Sequence, residues 1–358
     1  MMRYRVLVVD DSAFMRKIIS DILSTSDKLE VIGTARDGLD CLNKVKELHP
    51  DVVTLDIEMP RMDGLECLEQ LMKSQPLPVI MLSSLTNEGA RATISALEKG
   101  AFDFLPKPSG SISLDLHKIG DELIEKVTAA AQLKNRFRAK IHPYFQADEK
   151  ISIIKKEVEA SIKSYDKMNY VVAIGTSTGG PKALQSVLTK IPAGFSEAIV
   201  IVQHMPPKFT RSLAQRLDSL SQITVLEAED GQKLLPGTAY IAPGGYHMEV
   251  KQRDKDLFIS LNTEPPVGGH RPSVNVLFSS VAELKGIKKL AIIMTGMGND
   301  GTEGLKKLKE SDQVKTIVED EQSCVVFGMP RSAIQAGCAD TIVPLEGIAQ
   351  ALIESVES

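Results

Sequence analysis

Three residue types that together make a hydrolytic centre stand in three separate turn-like segments. Ser177 lies in Gly175-Thr176-Ser177-Thr178-Gly179, His204 in Gln203-His204-Met205-Pro206, and Asp300 in a loop with glycines at 296, 298, 301 and 304. A serine hydroxyl becomes a useful nucleophile when a base takes its proton and an acid orients that base. G-x-S-x-G is the sharp turn that lifts a serine above the carboxyl edge of a sheet. Two other readings of that stretch exist. Gly175 and Gly180 have P-loop spacing, but Pro181 stands where that motif needs Lys, and Ala183 stands where a hydroxyl would follow Lys182. An ordinary strand-to-helix loop with Ser177 as a helix cap stays open on this stretch alone.

The choice of base rests on three histidines. His204 directly follows the apolar run EAIVIVQ, so it belongs at the same sheet edge as Ser177. His247 reads as mid-strand and partly exposed. His270, in Gly-Gly-His-Arg-Pro ahead of a helix, is the reserve. The glycines around Asp300 let backbone N–H groups approach a ligand closely. Taken alone, that loop reads as a tight turn with Asp300 capping the next helix. Taken with Ser177 and His204, it completes a triad. The chain order Ser, His, Asp differs from the Ser, Asp, His of α/β-hydrolases, so the triad belongs to a different sheet.

A second constellation gathers carboxylates. Strand-like runs end in Asp10-Asp11, in Asp56 and in Ser83-Ser84, and another is followed by Lys107. In an open parallel sheet, chemistry collects beyond the carboxyl ends of the strands. Three carboxylates brought together repel one another unless a hard cation such as Mg²⁺ binds among them. A carboxylate beside Mg²⁺ can take a phosphoryl group. Lys107 would balance charge on the phosphoryl oxygens and Ser83 would donate to one of them. The plainer alternative makes Asp10 and Asp11 helix caps.

The elements that must position these residues follow from hydropathy. Short apolar runs at 4–9, 29–34, 51–56, 78–83 and 102–105 alternate with amphipathic segments, such as Leu39, Leu42, Val45 and Leu65, Leu68, Leu71. This pattern predicts an α/β fold: an N-terminal (βα)5 domain with a parallel sheet, closed by a helix over about 113–133. Residues 125–168 then contain no Gly and one Pro, with ten Lys or Arg against six Asp or Glu. A charged, partly helical linker is expected there. Its stripe of Ile151, Ile154, Val158, Ile162 and Tyr165 either docks on a neighbouring domain or lies on a solvated helix. From 170 the alternation resumes with YVVAIG, EAIVIVQ, KLAIIMT and VKTIVED. The stretch 238–262 reads as hairpin strands around Pro243-Gly244-Gly245. The C-terminal domain is thus expected to be a mostly parallel, doubly wound α/β domain with an antiparallel hairpin insertion.

Composition narrows the function classes. The 358 residues suggest about two domains. The formal net charge of −5 argues against wholesale nucleic-acid binding. Cys41, Cys67, Cys324 and Cys338 form no C-x-x-C pair and read as reduced structural thiols. No apolar run reaches membrane-spanning length, and because the sequence enters a strand-like run from its start, no signal peptide is expected. A cytoplasmic, monomeric protein without membrane insertion is expected.

DD at 10–11, TLDIEMPRMDG at 54–64, MLSS at 81–84 and PKP at 106–108 closely resemble the receiver domain of two-component response regulators. The resemblance spans about 3–125. It implies Asp56 as phospho-acceptor, Mg²⁺ held by Asp10, Asp11, Asp56 and the backbone carbonyl of Glu58, and a histidine kinase as phosphodonor. Phe104 falls where receivers commonly carry an aromatic switch; plain core packing is the alternative.

GTSTGG at 175–180, QHMP at 203–206, TGMGNDG at 295–301 and VVFGMP at 325–330 resemble the catalytic domain of chemotaxis protein-glutamate methylesterases, over about 168–356. The implied layout is a receiver at 1–125, a linker at 126–167 and a methylesterase domain at 168–358. The resemblance implies Ser177 as nucleophile, His204 as base and Asp300 as orienting acid, with Thr178 and the Met297 N–H stabilising the oxyanion. It implies hydrolysis of glutamyl methyl esters, and deamidation of certain glutamines, on chemoreceptor cytoplasmic helices. No metal is expected at that site. The family often has Asp where this chain has Asn275. A resting receiver is expected to cover the Ser177 edge until Asp56 is phosphorylated.

Three other functions are compatible with a two-domain layout of this kind. A DNA-binding output domain lacks support, because no basic recognition helix is present. A non-enzymatic module is disfavoured by the complete set of triad residue types. An esterase with some other substrate stays open.

Overall fold

The structure, a computed structural model, describes residues 3–107, 115–134 and 168–357. The chain divides into two compact units, Met1–Ile162 and Lys163–Ser358. The expected linker stripe at 151–165 lies outside the described residues.

In the first unit, β1 (Tyr4–Val9), β2 (Leu29–Ala35), β3 (Val52–Asp56), β4 (Val79–Ser83) and β5 (Asp103–Pro106) form a parallel sheet in the order β2-β1-β3-β4-β5. All five residues of β3 and of β4 are buried, as a strand covered on both faces requires. The helices are α1 (Ala13–Ser24), α2 (Gly38–Leu48), α3 (Gly64–Ser74), α4 (Asn87–Glu98) and α5 (Asp115–Gln132). Each of the first four starts on a side chain that accepts from an otherwise orphaned N–H: Ser12 from Met15, Asp37 from Asp40, Asp63 from Glu66 and Thr86 from Gly89. Asp10 and Asp11 are therefore not the cap of α1. One amphipathic expectation is corrected. The buried face of α2 is Gly38, Cys41 and Val45, while Leu39 is 45% exposed. The spacing is helical, but the helix is turned so that Gly38, Cys41 and Val45 face inward, with Gly38 against Met62 and its carbonyl accepting from Cys67 Sγ.

In the second unit, seven strands run parallel in one sheet, in the spatial order 341–343, 314–319, 288–293, 170–176, 198–203, 238–241, 224–227. They are β6 (Tyr170–Thr176), β7 (Ala198–Gln203), β8 (Thr224–Glu227), β9 (Thr238–Ile241), β12 (Lys288–Ile293), β13 (Val314–Glu319) and β14 (Thr341–Val343). β10 (His247–Arg253) and β11 (Asp256–Asn262) form the antiparallel pair. The helices are α6 (Gly180–Leu188), α7 (Phe209–Leu220), α8 (Val274–Ala282), α9 (Thr302–Lys309), α10 (Met329–Gln335) and α11 (Leu345–Glu357). Val171, Ala173, Ala198, Val200 and Val202 share one core with Leu277 and Phe278 of α8 and with Met248, Val250, Leu257 and Ile259 of the hairpin.

The insertion differs from its expected form. TAYI is not half of a hairpin: β9 pairs parallel with β7 and β8, and all four of its residues are buried. The hairpin turn lies at Asp254-Lys255, between the paired Arg253 and Asp256. The Pro-Gly-Gly at 243–245 instead links the sheet to the hairpin. Full burial without alternation marks TAYI as a strand covered on both faces, which outweighed the turn-forming residues that follow it.

Candidate active site and phospho-acceptor site

β12, β6 and β7 are neighbours in the middle of the second sheet; Ser177 and His204 directly follow β6 and β7, and Asp300 lies in the loop after β12. The chain runs from β6 to β7 toward one edge and from β12 to β13 toward the other, so the crevice between β6 and β12 is a topological switch point. Ser177 follows β6. Its N–H donates to the Thr295 carbonyl (3.1 Å), and its own carbonyl accepts from Gly180 N–H (2.8 Å) and Gln203 Nε2 (3.0 Å). Both sides of the turn are thus held through the backbone, and the hydroxyl is left to act. Gly179 begins α6 at φ +79, where a Cβ would also press on Val325. The helix has no side-chain cap, which disposes of Ser177 as a helix cap.

Ser177 Oγ lies 3.2 Å from His204 Nδ1, and His204 Nε2 lies 2.8 Å from Asp300 Oδ2. Asp300 is buried and accepts further bonds from Val274 N–H (2.7 Å), Asn275 N–H (3.0 Å), Gly301 N–H (3.0 Å) and Ser273 Oγ (2.8 Å). Burial alone would raise its pKa. The hydrogen bond and charge of His204 and the N–H groups of Asn275 and Val274 outweigh it and hold the carboxyl at about 2. An ionised Asp300 can only accept, so His204 Nε2 carries the proton and Nδ1 is free to take the one on Ser177.

Asp300 does not cap the helix that follows it. Gly301 occupies that position in α9, and Asp300 reaches across to the N-terminus of α8. Asn275 returns the contact, its Oδ1 accepting from Gly301 N–H (3.0 Å) and Gly304 N–H (2.8 Å). The two helix starts are capped reciprocally. The position that departs from the usual family residue therefore touches Asp300 through its own backbone.

His247 is corrected: it is 1% exposed, and its Nε2 lies 3.1 Å from the Pro265 carbonyl. His204 is the histidine that bridges Ser177 and Asp300; the ring of the reserve, His270, stacks on that of His204, with centroids 3.9 Å apart and planes at 9°. Thr178 is buried, and its carbonyl accepts from Thr295 Oγ1 (2.9 Å). Met297 follows Gly296, where an added Cβ would come within 2.9 Å of Ser177 Cβ, so the loop carrying Met297 passes beside the hydroxyl.

Two supporting residues were missed from the sequence. Gln203 donates to the Ser177 and His204 carbonyls (3.0 and 3.1 Å) and accepts from Thr176 Oγ1 (2.6 Å), tying two catalytic-edge loops together. Glu319, fully buried at the end of β13, accepts from Thr295 N–H (2.8 Å). A buried amide directly preceding the candidate base was the available signal for Gln203; Glu319 left none. The VVFGMP segment braces the same place: Gly296 N–H donates to the Val326 carbonyl, and the Gly296 carbonyl accepts from Gly328 and Met329.

In the first unit, Asp10 and Asp56 are buried, and Asp11 is exposed. One carboxylate oxygen from each lies within 4.8 Å of the others. Lys107 Nζ sits 2.9 Å from Asp10 and 2.6 Å from Asp56. An all-oxygen, anionic donor set open to solvent through Asp11 fits a hard divalent cation. Ser83 Oγ is buried and donates to the Gly89 carbonyl (3.0 Å). Glu58 N–H donates to Asp56 (3.2 Å), while its side chain accepts from Ser84 Oγ (2.9 Å). Phe104 is buried, with Lys126 Nζ 5.4 Å from its ring centroid.

Burial pushes the Asp56 carboxyl up, Lys107 only partly offsets this, and Asp10 adds to it; the group titrates at about 6. Its pKa is raised on folding, so its contribution is most favourable below pH 4 and is lost as pH rises through about 6. Asp56→Asn should therefore stabilise the first unit at pH 7 in magnesium-free buffer, by about 1–3 kcal/mol. The gain should vanish near pH 4. Amide exchange of β1 and β3 in the intact chain measures it; a loss of stability at pH 7 would contradict the electrostatic account.

A hydroxyl, an imidazole and an ionised carboxylate in line at adjacent strand ends define the second unit as a serine-hydrolase candidate, joined to a unit with the layout of a phospho-accepting receiver. Comparison with known proteins agrees. The CheB methylesterase family model matches residues 172–352, and the response regulator receiver domain matches 6–117. The protein-glutamate methylesterase/protein-glutamine glutaminase of Geobacillus kaustophilus (strain HTA426) is 52% identical, over 98% of each chain. Its counterpart in Halalkalibacterium halodurans is 53% identical, again over 98% of each. The crystal structure of the Thermotoga maritima CheB methylesterase catalytic domain is 46% identical, with a TM-score of 0.50; it covers 51% of this chain and 97% of that one. This chain belongs to the family of protein-glutamate methylesterases/protein-glutamine glutaminases.

Proposed function

We infer that this chain is a phosphorylation-activated serine esterase that hydrolyses glutamyl methyl esters, and deamidates specific glutamines, on the cytoplasmic helices of chemoreceptors. The observation that carries the chemistry is the line from Ser177 Oγ through His204 to Asp300, at 3.2 and 2.8 Å. Ser177 Oγ attacks the ester carbonyl as its proton passes to His204 Nδ1. Asp300 holds the ring in the accepting tautomer and stabilises the imidazolium. The Met297 N–H and Thr178 are assigned to the oxyanion. His204 then returns the proton to the departing methoxide, which leaves as methanol. Water, deprotonated by the same nitrogen, releases glutamate and restores Ser177. A fluorophosphonate probe should label Ser177, and receptor peptides should lose a methyl group by mass spectrometry. An unlabelled Ser177 in a protein that does hydrolyse the ester would refute the assignment.

Asp56 is the proposed phospho-acceptor and a histidine kinase the phosphodonor. Asp10, Asp11, Asp56 and the Glu58 carbonyl are the residues that would hold Mg²⁺, which when bound offsets the charge of the cluster and the incoming phosphoryl group. Lys107 balances phosphoryl charge, and Ser83 turns its hydroxyl from Gly89 to a phosphoryl oxygen. Among the described residues no helix is long and apolar enough to cross a membrane. The assigned compartment is the cytoplasm and the assigned state a monomer that binds no nucleic acid.

The receiver is taken to restrain the esterase until Asp56 is phosphorylated. Phosphorylation adds about −1.5 to −2 charge. A coupling of about 1–3 kcal/mol corresponds to roughly tenfold to hundredfold activation. A small phosphodonor with Mg²⁺ should give that increase in initial rate, and Asp56→Asn should block it. A fragment of residues 150–358 should be faster than the unphosphorylated intact chain. A fragment no faster than intact protein would replace restraint with positive activation by the phosphorylated receiver.

A further inference from the structure

The segment joining β11 to α8 touches two members of the triad at once. Its end and the first residues of α8 serve Asp300, through Ser273, Val274 and Asn275. Its middle serves His204, by the stacked ring of His270. The second contact is built separately from the first. Val267 and His270 exchange both backbone hydrogen bonds, at 3.1 and 3.0 Å, across Gly268 and Gly269. Those glycines have φ of +59 and +87, the two-residue turn that needs positive φ at both central positions. An added Cβ would meet nothing within 4 Å at either, so conformation rather than crowding selects glycine.

The base of the loop is fastened from three directions. Arg271 Nη1 donates to the Thr263 and Glu264 carbonyls (2.8 and 3.1 Å). The Arg271 carbonyl accepts from Gly245 N–H (3.2 Å). Buried His247 meets the Pro265 carbonyl. None of these bonds involves Asp300. What they deliver is one flat ring laid parallel on another.

We propose that His270 is a positioning residue for His204: its stacked ring closes one face of the base and keeps the Nδ1 edge aimed at Ser177. This rests on the reading of Ser177, His204 and Asp300 as the triad. The bond from Nε2 to Asp300 fixes one corner of the imidazole and leaves it able to tilt about that corner. A tilt moves Nδ1, on the opposite side, away from a hydroxyl already 3.2 Å distant. A parallel neighbour removes that freedom, and a misplacement of about 1 Å can cost about a hundredfold in rate. His270 needs no proton of its own for this, so a neutral flat ring should serve in its place.

The test compares three substitutions in the full-length protein on one methylated receptor substrate. His270→Ala should lower kcat about tenfold to a hundredfold with KM little changed. His270→Phe should restore most of kcat, and His270→Leu, which fills space without a flat ring, should not. If His270→Ala fails to fold, the contrast between Phe and Leu decides. Unchanged kcat in His270→Ala, an effect confined to KM, or no advantage of Phe over Leu would each overturn the proposal. Fluorophosphonate labelling of Ser177 in the unsubstituted protein keeps the two readings apart. Labelled, active protein insensitive at His270 refutes only the positioning role; active protein unlabelled at Ser177 refutes the triad itself.

Discussion

Ser177→Ala should reduce turnover of a methylated receptor substrate by about 10⁶-fold, and His204→Ala should do nearly the same. In the proposed triad nucleophile and base act as one unit: without the hydroxyl nothing attacks, and without Nδ1 the hydroxyl keeps its proton. The double variant should therefore be little worse than either single one. The fold should survive Ser177→Ala, because the turn is held by the Ser177 N–H to Thr295 and by its carbonyl to Gly180 and Gln203, none of which uses the hydroxyl. Phosphorylation of Asp56 should be untouched in the same preparation. Initial rates of methanol release, with phosphate incorporation measured in parallel, check both halves. A Ser177→Ala protein with near wild-type turnover would remove the serine from the mechanism.

Asp300→Asn should lower turnover by about 10⁴-fold and also destabilise the second unit, two effects with separate causes. The rate loss follows from the tautomer: an amide in place of the carboxylate no longer requires the proton to sit on Nε2, so Nδ1 ceases to be a dependable acceptor. The stability loss follows from the count of donors. Both Asp300 oxygens accept, one from Val274 and His204, the other from Ser273, Asn275 and Gly301. Whichever way the amide turns, its NH₂ faces at least one backbone N–H in a buried site, at about 1–3 kcal/mol for each group left unpaired. The pH dependence follows. Folding lowers the Asp300 pKa from 3.8 to about 2, so the carboxylate stabilises the fold above pH 4 and that contribution is lost as pH falls through about 2. It amounts to about 2 kcal/mol. Asp300→Asn should flatten that acid limb. Urea midpoints of the second unit between pH 2 and 7 measure it, and an unchanged acid limb would mean that Asp300 is not the group responsible.

The strands of the first unit were legible because each is a short apolar run between polar turns, and the sheet buries both faces of β3 and β4. The helix caps Ser12, Asp37, Asp63 and Thr86 act locally but went unread in the sequence, where Asp10 and Asp11 were the caps offered. Local chemistry misled where tertiary contacts competed with it. Pro243-Gly244-Gly245 looks like a hairpin turn, yet β9 pairs with β7 and β8, because a strand buried on both faces gains more from the sheet interior than from a neighbouring strand at its edge. His247 has the polarity of a surface residue, but the Pro265 carbonyl gives its ring a partner inside. Leu39 has a hydrophobic side chain, but α2 turns Cys41 and Val45 inward.

The sequence by itself determined which residues end the strands. Hydropathy sets where a buried run stops, and Ser177, His204, Asp10 and Asp56 each stand at or just past such a stop. Strand order was decided only by the tertiary structure, and strand order is what brings β12, β6 and β7 side by side, with residues far apart in the chain within hydrogen-bond reach. The same holds for the supports. Gln203 bridging two loops, Asn275 and Asp300 capping each other's helices, and His270 lying flat on His204 are relations between segments. No local period or motif encodes them, because each depends on distances that exist only after the sheet has closed the chain upon itself.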